Sequence, residues 1–230
     1  MLSIIIPTLN EEKGIVKTLK QINKLNINKE VLVVDGLSTD KTIENAKKYG
    51  SKIVIEKRKG KGIAMRTGVK NAKGDFICFL DGDGTYSPRY IPKMLDMIKQ
   101  CDVVVASRMM LKENSMDSLK NIFLYRVAPF LFKKYYKKFK TSEPTTGMRL
   151  MRKSTWEDFK LKFDDFMVEI EMEVIMAKKS MKVIEIPIPC IKRVGDKSKF
   201  IRNWRILFRM KDFIRENESY LKNLNVVRMK

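Results

Sequence analysis

Short apolar runs, each closed by a polar or turn-forming residue, recur through the first half of the chain and constrain its fold more than any other feature. They are Ser3–Thr8 (SIIIPT), Val31–Asp35 (VLVVD), Lys52–Glu56 (KIVIE), Phe76–Leu80 (FICFL) and Asp102–Ala106 (DVVVA). Runs this short, rich in Val and Ile and apolar without alternation, fit strands buried on both faces, as in a parallel sheet. Parallel neighbours need crossover connections, and helical patterns stand in the gaps. Glu11–Leu25 places Ile15, Leu19 and Ile22 on one stripe, and Thr39–Tyr49 follows Ser38 as an N-cap. Lys61–Ala72 opens after Gly60, and Pro88–Ile98 begins with a proline. Strand then helix, repeated, predicts an α/β domain with a mostly parallel central sheet flanked by helices.

The second half is less regular. Leu119–Phe139 mixes aromatic and basic residues and is broken by Pro129; Met148–Met151 reads as a short strand. Asp165–Lys179 reads as a helix carrying Glu169, Glu171 and Glu173. Lys182–Ile191 is extended, because Pro187 and Pro189 forbid a helix. Arg202–Arg215 is predicted to be a helix with Arg202, Arg205 and Arg209 on one side and Trp204, Leu207, Phe208 and Ile214 opposite. With no internal repeat or linker, the reading is one domain over 1–199 and an amphipathic, basic helical extension over 200–230. The longest apolar run, Ile122–Phe132, is too short to span a bilayer and holds Arg126 and Pro129. The N-terminus does not read as a signal peptide. The expected location is cytoplasmic, peripheral on the inner face of the membrane.

Charge and composition narrow the chemistry. The chain has no histidine, and its three cysteines, Cys78, Cys101 and Cys190, are scattered in apolar stretches. Imidazole catalysis and zinc sites are therefore excluded, and a divalent ion must be held by oxygen ligands, as Mg²⁺ or Mn²⁺ is. The net charge is +21; residues 112–140 contribute +6 and residues 192–215 contribute +7. Basic clusters beside aromatics suit an anionic partner, here an anionic membrane surface or a phosphate-bearing substrate.

Four loops carry candidate chemistry. Asp81-Gly82-Asp83 stands at the end of a strand, where ligands of open α/β sheets bind, and two carboxylates so spaced can turn toward one metal ion. A plain Asp-Gly turn is the other reading. No calcium loop is present, since Pro92 occupies the twelfth position. Pro7, Thr8, Asn10 and Glu11 follow the first strand, where they can contact a nucleoside or cap a helix. Asp35 ends the second strand, placed like the acid that grips a ribose. Gly60-Lys61-Gly62 is a basic glycine-rich loop without the flanking pattern of a phosphate-binding Walker loop.

Together these elements resemble glycosyltransferase family 2, with the GT-A fold, and within it the dolichyl-phosphate mannose synthases and related polyprenyl-phosphate glycosyltransferases. IIIPTLNEE, VVDGLSTDKT, RKGKGIAMRTG and FLDGDGTY are similar to the family's nucleotide, basic and metal elements; ASRM, EPTTGMRLMRK, EIEMEVIMAKK, EIPIPC and KRVGDKSKF narrow the subgroup. Gly36 stands where the family has a second Asp, and Thr85 where some relatives supply a Gln metal ligand. The resemblance implies an inverting transfer from a nucleoside-diphosphate sugar (a GDP- or UDP-sugar) to a polyprenyl phosphate, with Mg²⁺ or Mn²⁺ on Asp81 and Asp83. Arg108, Arg149, Arg193, Lys197 and Lys199 are candidates for gripping phosphates. For a hydroxyl acceptor a carboxylate base is needed; Glu171 is the first candidate, with Asp164, Asp165 and Glu169 behind it. Rival readings are glycosyl transfer to a sugar hydroxyl, a sugar-phosphate nucleotidyltransferase and a nucleic-acid binder. No nucleic-acid module is recognisable, so nucleic acid is not an expected partner.

Overall fold

A computed structural model describes residues 1–111, 140–194, 205–222 and 224–229, with backbone alone for 205–208. The first half alternates as read: β1 (Leu2–Thr8), α1 (Glu12–Asn23), β2 (Lys29–Asp35), α2 (Thr42–Lys48), β3 (Lys52–Ile55), α3 (Lys61–Asn71), β4 (Phe76–Phe79), α4 (Ile91–Met97) and β5 (Val103–Ser107). Then come β6 (Arg149–Arg152), α5 (Lys153–Glu157), α6 (Met167–Lys178), β7 (Lys182–Pro187), α7 (Arg205–Glu216), α8 (Glu218–Leu221) and β8 (Asn225–Arg228).

The strands form one sheet in the order β3-β2-β1-β4-β6-β5-β7-β8. All pairings are parallel except those of β6, which lies antiparallel between β4 and β5, with Phe79 and Val105 both paired to Arg149. The period-two geometry of strands splits the core into two layers. Ile5, Ile77, Phe79 and Val105 face α3 and α6; Ile4, Ile6, Cys78 and Val104 face α1 and α4. Each fully buried Ile or Leu in these layers contributes about 1.5–3 kcal/mol of transfer free energy.

Several expectations are corrected. β3 is an edge strand with Ile55 46% exposed, so its apolar run is not buried on both faces. α2 starts at Thr42 rather than Thr39, because the Ser38 hydroxyl donates to Asp35 (2.5 Å) and Asp40 instead accepts from the Thr42 N–H (2.9 Å). Pro92, lacking an N–H, sits at the start of α4, and Pro88–Tyr90 forms a separate 3₁₀ turn. The extension is not wholly helical: β8, with its β-branched pair Val226-Val227, lies parallel beside β7. Nor is the apolar face of α7 available to lipid over its described half. Met210 and Ile214 are buried in the core and Phe213 packs edge-on against Phe163, ring centroids 5.1 Å apart. Trp204 lies outside the described residues, as do the side chains of Leu207 and Phe208. Among the described residues no helix is long and apolar enough to cross a membrane.

The β3–α3 connection is anchored by Glu56, which accepts from Arg58 Nε (2.9 Å), Arg58 Nη2 (2.9 Å) and Thr67 Oγ1 (2.5 Å). These bonds, Arg58's first, hold its carboxyl down at about 2 from an ordinary 4.5. A depressed carboxyl stabilises the folded state above the unfolded pKa, and that stability is lost as pH falls from 4.5 toward 2. Glu56→Gln is therefore expected to cost about 1–2 kcal/mol at pH 7 and much less at pH 2, where the folded-state carboxyl is about half protonated, measured by denaturant melts at both pH values. An equal loss at both would refute the charge-based account.

Candidate active site

The site is built where β1, β2 and β4 end side by side. The loops leaving β1 and β2 are stitched together by side chains. Asn10 Oδ1 accepts from the Thr39 N–H (2.8 Å), the Asn10 N–H donates to Ser38 Oγ (2.8 Å), and the Glu11 N–H donates to Thr42 Oγ1 (2.8 Å). Asn10 and Leu37 take left-handed backbone, φ 50° and 68°. Asn tolerates this, whereas for Leu it costs roughly 1–2 kcal/mol. Leu37 is 52% exposed. Backbone strain of this kind persists where the surrounding structure imposes it, often at ligand sites.

Asp35 is placed differently from the expectation. It is fully buried, and its carboxylate accepts from the Ser38 N–H (2.7 Å), Ser38 Oγ (2.5 Å) and Thr8 Oγ1 (3.3 Å). It shapes the turn and presents no surface to a ribose. Thr8 is buried with it, and Pro7 lies within β1 opposite Val34. Asn10 remains exposed at the loop's outer edge, whereas the Glu11 side chain, only 10% exposed, turns in toward Arg193.

The acidic centre follows β4. Lys61, at the first turn of α3, bridges Asp81 Oδ1 (2.6 Å) and Glu169 Oε1 (2.6 Å). Arg193 bridges Asp83 and Glu11 (2.5 Å to Glu11). Asp83 Oδ1 also accepts from the Thr85 N–H (3.0 Å) and Thr85 Oγ1 (2.7 Å). Burial is the largest influence on Asp81 and opposes its ionisation, but Lys61, Arg108 and Arg193 together outweigh it and hold the carboxyl below its usual range. Burial pushes Glu169 up, with Lys61 pulling back and the Asp81 charge pushing further. Burial would lower Lys61, but Asp81 and Glu169 raise it, so it stays protonated.

The arginines separate. Arg108 is clamped to Glu143 through its N–H (2.6 Å to Oε2) and Nε (2.8 Å to Oε1); it stacks on the Tyr86 ring at 4.3 Å and reaches Thr85 Oγ1 at 3.4 Å. It adjoins the centre. Arg149 does not: fully buried, it donates to the carbonyls of Pro144 (2.6 Å) and Thr146 and to Glu173 (3.1 Å). It ties the 144–146 loop to α6 rather than facing a phosphate. Glu173 is pushed up to about 7 by burial despite Arg149. Glu171 is likewise turned away, accepting from the backbone N–H groups of Lys162 and Phe163 (both 2.9 Å at the shortest). Residues two apart on a helix point in nearly opposite directions, so Glu169 is the helix carboxylate at the centre. Asp164 pairs with Arg66 and Asp165 with Arg209. Lys197 and Lys199 lie outside the described residues.

Tyr86 and Gly147 were not among the residues singled out from sequence. Gly147 lies flush against Asp81: a Cβ added there would sit 2.5 Å from Asp81 Cγ. Gly14 of α1 is as tight, its Cβ falling 2.6 Å from Asp83 Cα. Close backbone approach was the available signal for both.

Among the described residues, no group of three or more acids or thiols converges to hold a metal unaided. Mg²⁺ and Mn²⁺ are commonly bound by one or two carboxylates with substrate phosphates completing the shell, and Asp81 and Asp83 fit that donor set. Among the described residues, Lys61 bridges Asp81 and Glu169, Arg193 bridges Asp83 and Glu11, and Arg108 pairs with Glu143.

A mostly parallel sheet of this order, flanked by helices and carrying an acidic centre beyond β4, defines a glycosyltransferase of the GT-A fold. The family model described as glycosyl transferase family 2 matches residues 3–159, and the chain belongs to that family. It is similar to the dolichyl-phosphate hexose transferase of Haloferax volcanii, 30% identical over 200 residues, covering 85% of each chain. It is 31% identical over 201 residues to the dolichol-phosphate mannosyltransferase of Pyrococcus furiosus, covering 80% of this chain and 55% of that one. The fold is shared with glucosyl-3-phosphoglycerate synthase of Mycobacterium tuberculosis, solved with Mn²⁺, UDP-glucose and phosphoglyceric acid, at a TM-score of 0.70 and 16% identity, covering 95% of this chain and 80% of that one.

Proposed function

We propose that the protein transfers a hexosyl group, with inversion, from a GDP- or UDP-sugar to a polyprenyl phosphate at an anionic membrane surface, with Mg²⁺ or Mn²⁺ held by Asp81 and Asp83. The observation that carries this reading is the acidic centre itself: two aspartates at the tip of β4, each gripped by a cation that can be released toward a diphosphate. The names of the two archaeal relatives support the acceptor class.

In the transfer, the bond from the anomeric carbon to the β-phosphate oxygen breaks while an acceptor phosphate oxygen forms the new bond on the opposite face. A bound divalent ion would neutralise charge on the departing diphosphate. Lys61 and Arg193 carry fixed positive charge beside the same aspartates and share that stabilisation. Arg108, held rigid by Glu143, is a further cation close by. An acceptor phosphate is already ionised near neutral pH, so no group need remove a proton from it. The basic segments 112–140 and 192–215 supply the charge for an anionic surface.

The test is a panel of GDP- and UDP-sugars with Mg²⁺, Mn²⁺ or EDTA, the polyprenyl phosphate being carried in anionic or neutral vesicles. Nucleoside diphosphate release is expected only with metal and acceptor together, and faster on anionic vesicles. In the same assay Glu169→Gln should lower turnover by less than about tenfold, because a general base, normally worth about 10²–10⁴-fold, is not in use. A loss in that larger range, with release supported by sugar hydroxyls, would overturn the phosphate-acceptor reading.

A further inference from the structure

We infer that Tyr86 is a positioning residue that sets both aspartates of the centre through two separate arms; the inference rests on the proposed metal site at Asp81 and Asp83. The first arm runs through its hydroxyl. Tyr86 is buried, 1% exposed, and its Oη accepts the Gly147 N–H at 2.7 Å. That bond holds the Gly147 backbone against the Asp81 carboxylate, with no room for a single added carbon. Asp81 is thus confined between Gly147 on one side and Lys61 on the other.

The second arm runs through the ring. The Arg108 guanidinium lies 4.3 Å from its centroid, and the same guanidinium reaches Thr85 Oγ1 at 3.4 Å. Thr85 donates both its backbone N–H and its hydroxyl to Asp83 Oδ1. One oxygen of Asp83 is thereby fixed by Thr85, and the other faces Arg193. Thr85 does not extend the ligand set by a carboxylate or amide; it orients the ligand that is there. Among the described residues the Tyr86 hydroxyl bonds Gly147 and Thr146 rather than an aspartate, yet both acids lean on groups it holds.

Partners that orient metal-binding carboxylates are typically worth about ten- to hundredfold in metal affinity. Tyr86→Phe keeps the ring under Arg108 and removes only the hydroxyl, so it isolates the Asp81 arm. Thr85→Val keeps the branched shape and removes the hydroxyl on Asp83, so it tests the second arm should the first variant fold poorly. Each variant is titrated with Mn²⁺ in the presence of GDP or UDP, free Mn²⁺ being followed by electron paramagnetic resonance, beside wild type and Asp83→Asn. The expected result is about a tenfold loss of Mn²⁺ affinity in each, with turnover restored at saturating Mn²⁺ and the KM for polyprenyl phosphate unchanged. A merely structural role would lower the melting temperature without moving Mn²⁺ affinity. Wild-type affinity in both variants, with binding lost in Asp83→Asn, overturns this inference and leaves the metal reading standing. Undiminished binding in Asp83→Asn overturns the metal reading and this inference with it.

Discussion

Asp83→Asn is expected to lower cation-dependent release of nucleoside diphosphate by about 10²–10³-fold, or roughly 3–4 kcal/mol of transition-state stabilisation. The substitution keeps the shape of the side chain and an oxygen able to accept from Thr85, which bonds Asp83 Oδ1 at 2.7 Å. It removes the negative charge that faces Arg193 and that, in the proposed mechanism, also holds a divalent ion. Because Asp83 sits in a loop beyond β4 rather than in either core layer, the melting temperature should move by no more than about 4 °C. Single-turnover release with Mn²⁺, read beside circular dichroism melts, separates the two effects. Release within a few-fold of wild type would remove Asp83 from the chemistry.

Gly147→Ala makes a second large effect from one carbon. The Gly147 backbone is not left-handed, so alanine meets no conformational barrier there. Its Cβ would instead lie 2.5 Å from Asp81 Cγ and overlap both carboxylate oxygens. The softest response is for Asp81 to swing away from its place beside Lys61. A misplacement of about 1 Å at a reacting centre can cost around a hundredfold in rate, and overpacking typically costs about 1–3 kcal/mol of stability. Turnover at a fixed sub-saturating Mn²⁺ concentration should therefore fall about a hundredfold while the protein remains folded. A variant that melts early but turns over normally would show that the position of Asp81 is immaterial.

Much of the architecture was legible in the chain because strand and helix periodicities differ so clearly in its first half. Ser3–Thr8 and Phe76–Leu80 delimit strands closely, and Asp81 and Asp83 fall at a strand tip as read. The antiparallel insertion of β6 was not legible. Four residues carry no signal of direction, and the order of strands is set by long-range packing. Nor could the sequence distinguish among the three glutamates of α6. Its apolar residues surround the helix, so Glu169, Glu171 and Glu173 are all buried, and periodicity names no outward face. Glu169 reaches Lys61, Glu171 holds a loop and Glu173 meets Arg149.

Asp35 and Arg149 teach the same lesson from the opposite side. Each has the residue type and strand-end position of a ligand-gripping group, yet each spends its hydrogen bonds internally, with the buried Arg149 Nε alone left without a partner among the described residues. Asp35 does so through Ser38 and Thr8, and Arg149 through two carbonyls and Glu173. A buried charge that found no such partners would be costly, so local loops fold around these groups. Their motif spacing marks where the site lies without making them part of its surface.

The most direct measurement is anomalous diffraction from crystals grown with Mn²⁺ and GDP or UDP. The proposed mechanism predicts one Mn²⁺ peak bonded to both Asp81 and Asp83 and to diphosphate oxygens, with Lys61 and Arg193 turned from the carboxylates toward phosphate. A nucleotide bound with no Mn²⁺ at these aspartates, or both cations still paired to them, would contradict it.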